Sequence, residues 1–112
     1  MVGILGNTGI KPCREAASRL NELLDLKGFG MYKHEVRSPE QALAYITDCT
    51  LATVADMAMR KSRPKHEYER QKAIAQQAIT WMDNMRIDYS GTRASEVREA
   101  GSVDAWADRF EV

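Results

Sequence analysis

The densest run of basic side chains in this sequence is Arg60-Lys-Ser-Arg-Pro-Lys-His66, in which Arg60, Lys61, Arg63, Lys65 and His66 stand together with no acid among them. Cations at this density suit one kind of chemistry, the holding of an anion through charge-assisted hydrogen bonds. The run falls between two long helical patterns. Its first cations therefore lie near the negative end of one helix, and the unbonded amides that open the next helix follow close behind. Arg60, Lys61, Arg63, Lys65 and His66 are accordingly the candidate ligand- or partner-binding residues, for an acidic partner or for a phosphate. The commoner use of such a run is a solvated turn whose cations stabilise a helix end, and Glu67 and Glu69 dilute the patch.

Other chemistry is harder to assemble from this chain. Asp48 and Asp56 are separated by about 12 Å along one helix, too far for a carboxylate dyad, so both are expected to be exposed or salt-bridged. No Glu-x-x-His or His-Glu-x-x-His motif supplies further metal ligands. His34 and His66 both fall on expected connections and are expected at the surface. Cys13 and Cys49 lack the C-x-x-C spacing of a zinc or redox site and are expected as reduced thiols in the core. Glycines 3, 6 and 9 precede a helix and suggest a phosphate cradle. However, Lys11 is followed by proline instead of Ser or Thr, and G-x-G-x-x-G is absent. No catalytic residue, metal or cofactor is assigned.

The elements that must position the basic run are helices. The first opens at Lys11-Pro12 and reaches Lys27 before Gly28, with Cys13, Ala16, Ala17, Leu20, Leu23 and Leu24 on one face. Met31 to Arg37 reads as a loop, with a short strand as the alternative. Ser38-Pro39-Glu40-Gln41 is a capping-box start for a second helix extending to Lys61. Leu43, Ile46, Val54 and Met57 form one apolar stripe on it, and Tyr45, Cys49, Ala52 and Met59 form another. Apolar on two faces, this helix is expected at the buried centre of a bundle. Thr47, Thr50 and Thr53 leave a kink or split near Thr50 as an alternative.

Ser62-Arg-Pro64 breaks the chain, and a third helix runs from Pro64 to Arg86. No charge occurs from Ala73 to Met82, which implies burial on more than one side. Tyr68, Trp81, Met82 and Met85 keep helical period and are read as core packing, with a thioether and aromatic groove as the rival. After a turn at residues 87–91, two short helices, Thr92 to Ala100 and Ser102 to Phe110, are separated by Gly101 at a helix-ending position. The fold class is all-α: a small bundle of three main helices and two short C-terminal ones. Residues 1–112 form a single domain, with 1–10 as an N-terminal arm.

The charge balance, 16 basic against 16 acidic residues, excludes a global field that would attract nucleic acid or an anionic membrane. Any electrostatic partner must be recognised by a local patch. The start of the chain lacks a charged signal region and no apolar run approaches a membrane span, so the expected location is cytoplasmic. Two helices apolar around much of their circumference suggest a homo-oligomer. The leading functional expectation is a non-enzymatic protein of adaptor or inhibitor type that occupies a macromolecular partner, a type frequent among proteins carried by mobile genetic elements. The alternatives are a binder of a small phosphorylated ligand or nucleotide at the basic junction, and, lower, a nucleic-acid-binding helical protein. The last is disfavoured because cations thin out after Lys72.

Overall fold

Ser38 opens the central helix as its sequence dictates. In the computed structural model, which describes residues 15–28 and 38–112, its hydroxyl accepts from the Gln41 amide and the Gln41 side chain accepts from the Ser38 amide, each at 3.3 Å. This is the reciprocal capping box, with Pro39 at the first helical position. The helices are α1 (15–26 within the described residues), α2 (Pro39–Ala58), α3 (Lys65–Asn84), α4 (Arg93–Ala100) and α5 (Val103–Asp108). No strand occurs among the described residues. The fold is all-α, as the periodicity requires.

Helix α2 is continuous through Thr50. Thr47, Thr50 and Thr53 turn their hydroxyls back onto the carbonyls of Leu43, Ile46 and Cys49, so the polar atoms of the two fully buried threonines are satisfied without breaking the helix. It ends at Ala58, three residues before the expected Lys61. Helix α3 ends at Asn84, and Arg86, with φ 57°, takes the left-handed position that glycine usually fills. The Ile87 amide then reaches back to the Met82 carbonyl at 2.9 Å.

One core cluster joins all five helices. Leu20 and Leu23 of α1, Leu43, Leu51 and Val54 of α2, Ala75, Ala78 and Met82 of α3, Val97 of α4 and Trp106 of α5 are all buried in it. Burial of one large side chain of this kind stabilises by about 1.5–3 kcal/mol, so this cluster is the main source of stability. Helix α1 lies antiparallel to α3. Arg19 stacks over Trp81 at 5.2 Å near one end, and Lys27 donates to Gln71 at 3.3 Å near the other. The short helices close the far side, α4 against α2, and α5 against both α2 and α3.

Two expectations of burial are corrected. The second stripe of α2 is largely at the surface: Tyr45 and Met59 are exposed, and Cys49 and Ala52 only partly covered. The reason is geometric, because α3, α4 and α5 pack on one flank of α2 and leave this line outside. For the same reason Cys49 is a partly exposed free thiol and not a core residue, while Cys13 lies outside the described residues. The uncharged stretch of α3 also has a solvent side, at Ala73, Gln77 and Thr80. Tyr68, Trp81 and Met82 are buried as core, with Met85 at its margin. The residue 1–10 arm, its glycine pattern, His34 and the 31–37 connection lie outside the described residues.

Candidate functional site

The five basic-run residues have three different fates. Arg63 folds back over the end of α2, donating to the carbonyls of Ala58 at 3.1 Å and Arg60 at 2.7 Å. It thus performs the helix-end neutralisation that the sequence assigns to Arg60 and Lys61. Arg60 turns along α2 and pairs with Asp56 at 2.6 Å, an exposed pair one turn apart. Lys61, Lys65 and His66 are exposed and form no ion pair among the described residues.

Helix α3 starts within the run, with Lys65 and His66 as its first two residues. Its N-cap is Pro64, which provides no side-chain hydrogen bond, so the first amides of α3 have no side-chain cap. A groove of about 340 Å³ opens here between the junction and the side of α3, lined by Lys61, Arg63, Lys65, Tyr68, Lys72 and two acids, Glu69 and Glu111. Tyr68 forms its floor. The ring is buried, with the Arg63 guanidinium 5.1 Å and the Lys72 ammonium 4.5 Å from its centroid. The Tyr68 hydroxyl donates to Glu111 at 2.7 Å, and Arg63 approaches the other oxygen of that carboxylate at 3.5 Å. Burial, together with this hydrogen bond, pushes the Tyr68 phenol well above the ordinary tyrosine value. The phenol therefore keeps the proton it donates to Glu111 beyond the pH at which a free tyrosine would lose it.

Two turns along the same face of α3 from Lys65, Lys72 closes the α5 end of the groove. Its side chain is almost wholly covered and its ammonium bonds Glu69 at 3.0 Å and Asp104 at 3.1 Å. Burial opposes its charge, but the hydrogen bonds to Glu69 and Asp104 outweigh that effect and raise its pKa above the usual lysine value. Lys72 is a fixed cation tying α3 to α5.

The remaining charged chemistry is structural. Asp48 accepts from both the Arg93 amide at 2.9 Å and the Arg93 guanidinium at 2.8 Å, so a residue of α2 caps the start of α4, whose own Thr92 provides no cap bond. Asp48 and Asp56 are thus both salt-bridged, as expected. Glu96 accepts from the Trp106 indole at 3.1 Å, and Gln76 accepts from the first amide of α5 at 2.9 Å. Among the described residues no group of three His, Cys, Asp or Glu side chains could hold a metal ion, and no helix is long and apolar enough to cross a membrane. Sequence reasoning missed Lys72 and Glu111 as groove residues, and placed Tyr68 in the core or in a different groove with Trp81, Met82 and Met85. A lone tyrosine on a helical apolar stripe reads as core, and Glu111 meets Arg63 only through the tertiary fold. Compared with protein-family models, with curated proteins and with solved structures, the chain has no match.

Proposed function

We propose that this chain is a non-enzymatic binding protein that works by occupying a macromolecular partner, with the α2–α3 junction as its contact surface. The observation that carries this reading is the contrast within the basic run. Arg63 fixes the backbone of the junction to the end of α2, while Lys61, Lys65 and His66 project from that fixed backbone into solvent without ion pairs among the described residues. With the backbone already fixed, binding has only the side chains of these cations left to order, which lowers its entropic cost. A cytoplasmic protein of adaptor or inhibitor type fits this arrangement.

A small phosphorylated ligand is the second reading, favoured by the α3 amides that Pro64 leaves without a side-chain cap. Groove reading of nucleic acid by α3 is not supported. Arg70 is held by Glu67 and by the carbonyl of Leu26, and Lys72 by two acids, so neither is available to phosphates. Self-association is proposed through the outer line of α2, where Tyr45 is 50% and Met59 54% exposed.

The test is affinity capture from the native host with the unaltered chain and with the double variant Lys61→Glu/Lys65→Glu. The partner is expected with the first and lost with the second. A partner retained by the double variant would move the contact surface away from the junction. Sedimentation over a range of concentrations reads the oligomeric state, and a species that remains monomeric would remove the α2 line as a self-association surface.

A further inference from the structure

The groove beside the junction already holds a carboxylate, and that carboxylate belongs to the protein. Glu111 lies beyond the end of α5, which stops at Asp108, so no helix holds it in place. Its two contacts are unequal, a 2.7 Å hydrogen bond from Tyr68 and a longer 3.5 Å approach to Arg63. Its side chain remains 30% exposed. The receptor, by contrast, is built without it. Arg63 is anchored by two backbone carbonyls, and the Tyr68 ring is held in the core beneath two cations. Lys61 and Lys65 line the same groove and find no acid among the described residues. The groove therefore offers more positive charge than one glutamate answers.

We propose that this groove is a docking site for an acidic segment of a partner protein, and that Glu111 is a tethered stand-in which a partner glutamate displaces from Arg63 and Tyr68. The proposal rests on the reading of the junction as a partner-binding surface and names the chemistry of the partner. A carboxylate fits better than a phosphate chain. The receptor pairs one guanidinium edge with one phenol proton, a match for the two oxygens of a single carboxylate, and Glu69 on the groove wall would repel a polyanionic backbone running along it. Displacement is favoured because Glu111 is partly exposed, its approach to Arg63 is long, and a partner carboxylate would replace its hydrogen bond from Tyr68 in kind. Phe110, packed edge-on to Trp106 at 4.9 Å, places an aromatic residue beside the tethered glutamate and suggests acidic residues interleaved with apolar ones in the partner.

The experiment uses the whole chain and a fluorescein-labelled, amide-capped peptide of sequence Phe-Glu-Val-Phe-Glu-Val, read by anisotropy, with the Gln-for-Glu peptide, inorganic phosphate and a single-stranded thymidine oligonucleotide as comparisons. The glutamate peptide is expected to bind and the glutamine peptide not to bind. Glu111→Gln should tighten binding by roughly fivefold, the gain from removing a competitor worth about one exposed ion pair. Lys61→Glu/Lys65→Glu should weaken it by about tenfold or more without shifting the melting temperature, and Tyr68→Phe, which keeps the ring and removes the donor, should weaken it too. If the peptide needs Lys61 and Lys65 but binds Glu111→Gln no tighter than the unaltered chain, displacement is wrong while the junction stands as a partner surface. If neither chain binds the peptide, or if phosphate or the oligonucleotide binds in its place, the acidic-segment assignment is overturned. Capture of a host partner that is indifferent to the double variant would instead remove the broader reading.

Discussion

The two ends of the groove beside α3 carry cations of the same chemical kind and use them in opposite ways. On the α5 side, Lys72 is almost wholly covered and shared between Glu69 and Asp104. On the junction side, Lys61 and Lys65 are exposed and have no acid partner among the described residues. Charge density alone does not distinguish these places. What distinguishes them is whether the fold brings an acid within reach, because a paired buried cation orders the structure whereas an exposed one without an acid beside it stays solvated and, on the proposed reading, accessible to a partner.

The strongest test of the covered side introduces a charge where no acid can reach it. Leu43 is fully buried on the core face of α2, so Leu43→Asp should destabilise by on the order of 4 kcal/mol or unfold the chain, a large share of the roughly 5–15 kcal/mol available to a domain. Chemical denaturation measures this, and a wild-type midpoint would show that α2 is not the core helix. A smaller effect is expected at Lys72 itself. Lys72→Ala removes a buried stem together with its ion pairs and should cost about 2 kcal/mol, whereas Lys72→Met keeps the stem and should cost less than about 1 kcal/mol. Equal losses for the two variants would assign the role of Lys72 to charge and not to packing.

Alkaline pH probes Lys72 together with the buried phenols of Tyr68 and Tyr89. The pKa values of Lys72, Tyr68 and Tyr89 are all raised in the folded chain. A raised folded value means that the stabilisation is complete below the unfolded values, 10.5 for lysine and 10.0 for tyrosine, and is lost as pH climbs through the folded ones. Melting temperature should therefore hold steady to about pH 9 and fall more steeply above about pH 10. Tyr68→Phe should flatten that fall. An unchanged slope in this variant would show that the phenol does not couple to folding.

Much of the fold was legible because its signals are local. Ser38 and Gln41 lie three residues apart and form their box with no help from the rest of the chain, and Gly101, at φ 103°, ends α4 as the sequence predicts. The burial of α2 was legible only in part. Its two apolar stripes look alike in sequence, and which one is covered depends on where α4 and α5 land. The site was legible as a basic run but not as a groove. Arg63 and Glu111 are 48 positions apart, as are few pairs a periodicity can register, and Tyr68 looks like any core aromatic until the cations above it are placed. The helix-end duty expected of Arg60 also passes to Arg63. The guanidinium three residues further on has the reach to fold back over the last carbonyls of α2, whereas Arg60 sits one turn above Asp56.

That transfer sets the smallest and most discriminating effect. Because Arg63 caps α2, covers Tyr68 and meets Glu111, Arg63→Ala should cost about 1 kcal/mol, and its loss of binding would be entangled with a loosened junction. Lys61 and Lys65 carry no such duty, so Lys61→Glu/Lys65→Glu should change stability by less than about 0.5 kcal/mol. The small residual has a sign. Glutamate at position 61 lies just beyond the negative end of α2 and is slightly unfavourable, whereas glutamate at position 65 opens α3, where a negative charge is favoured, so the two effects oppose each other. The single variants resolve this in thermal melts at low salt: Lys61→Glu should fall marginally below the unaltered chain and Lys65→Glu should equal or exceed it, with both differences shrinking as salt is added. A loss of more than about 1 kcal/mol from Lys65→Glu would mean that this lysine is engaged within the fold, and the line between cations that order the protein and cations that meet a partner would have to be redrawn around Lys61 and His66.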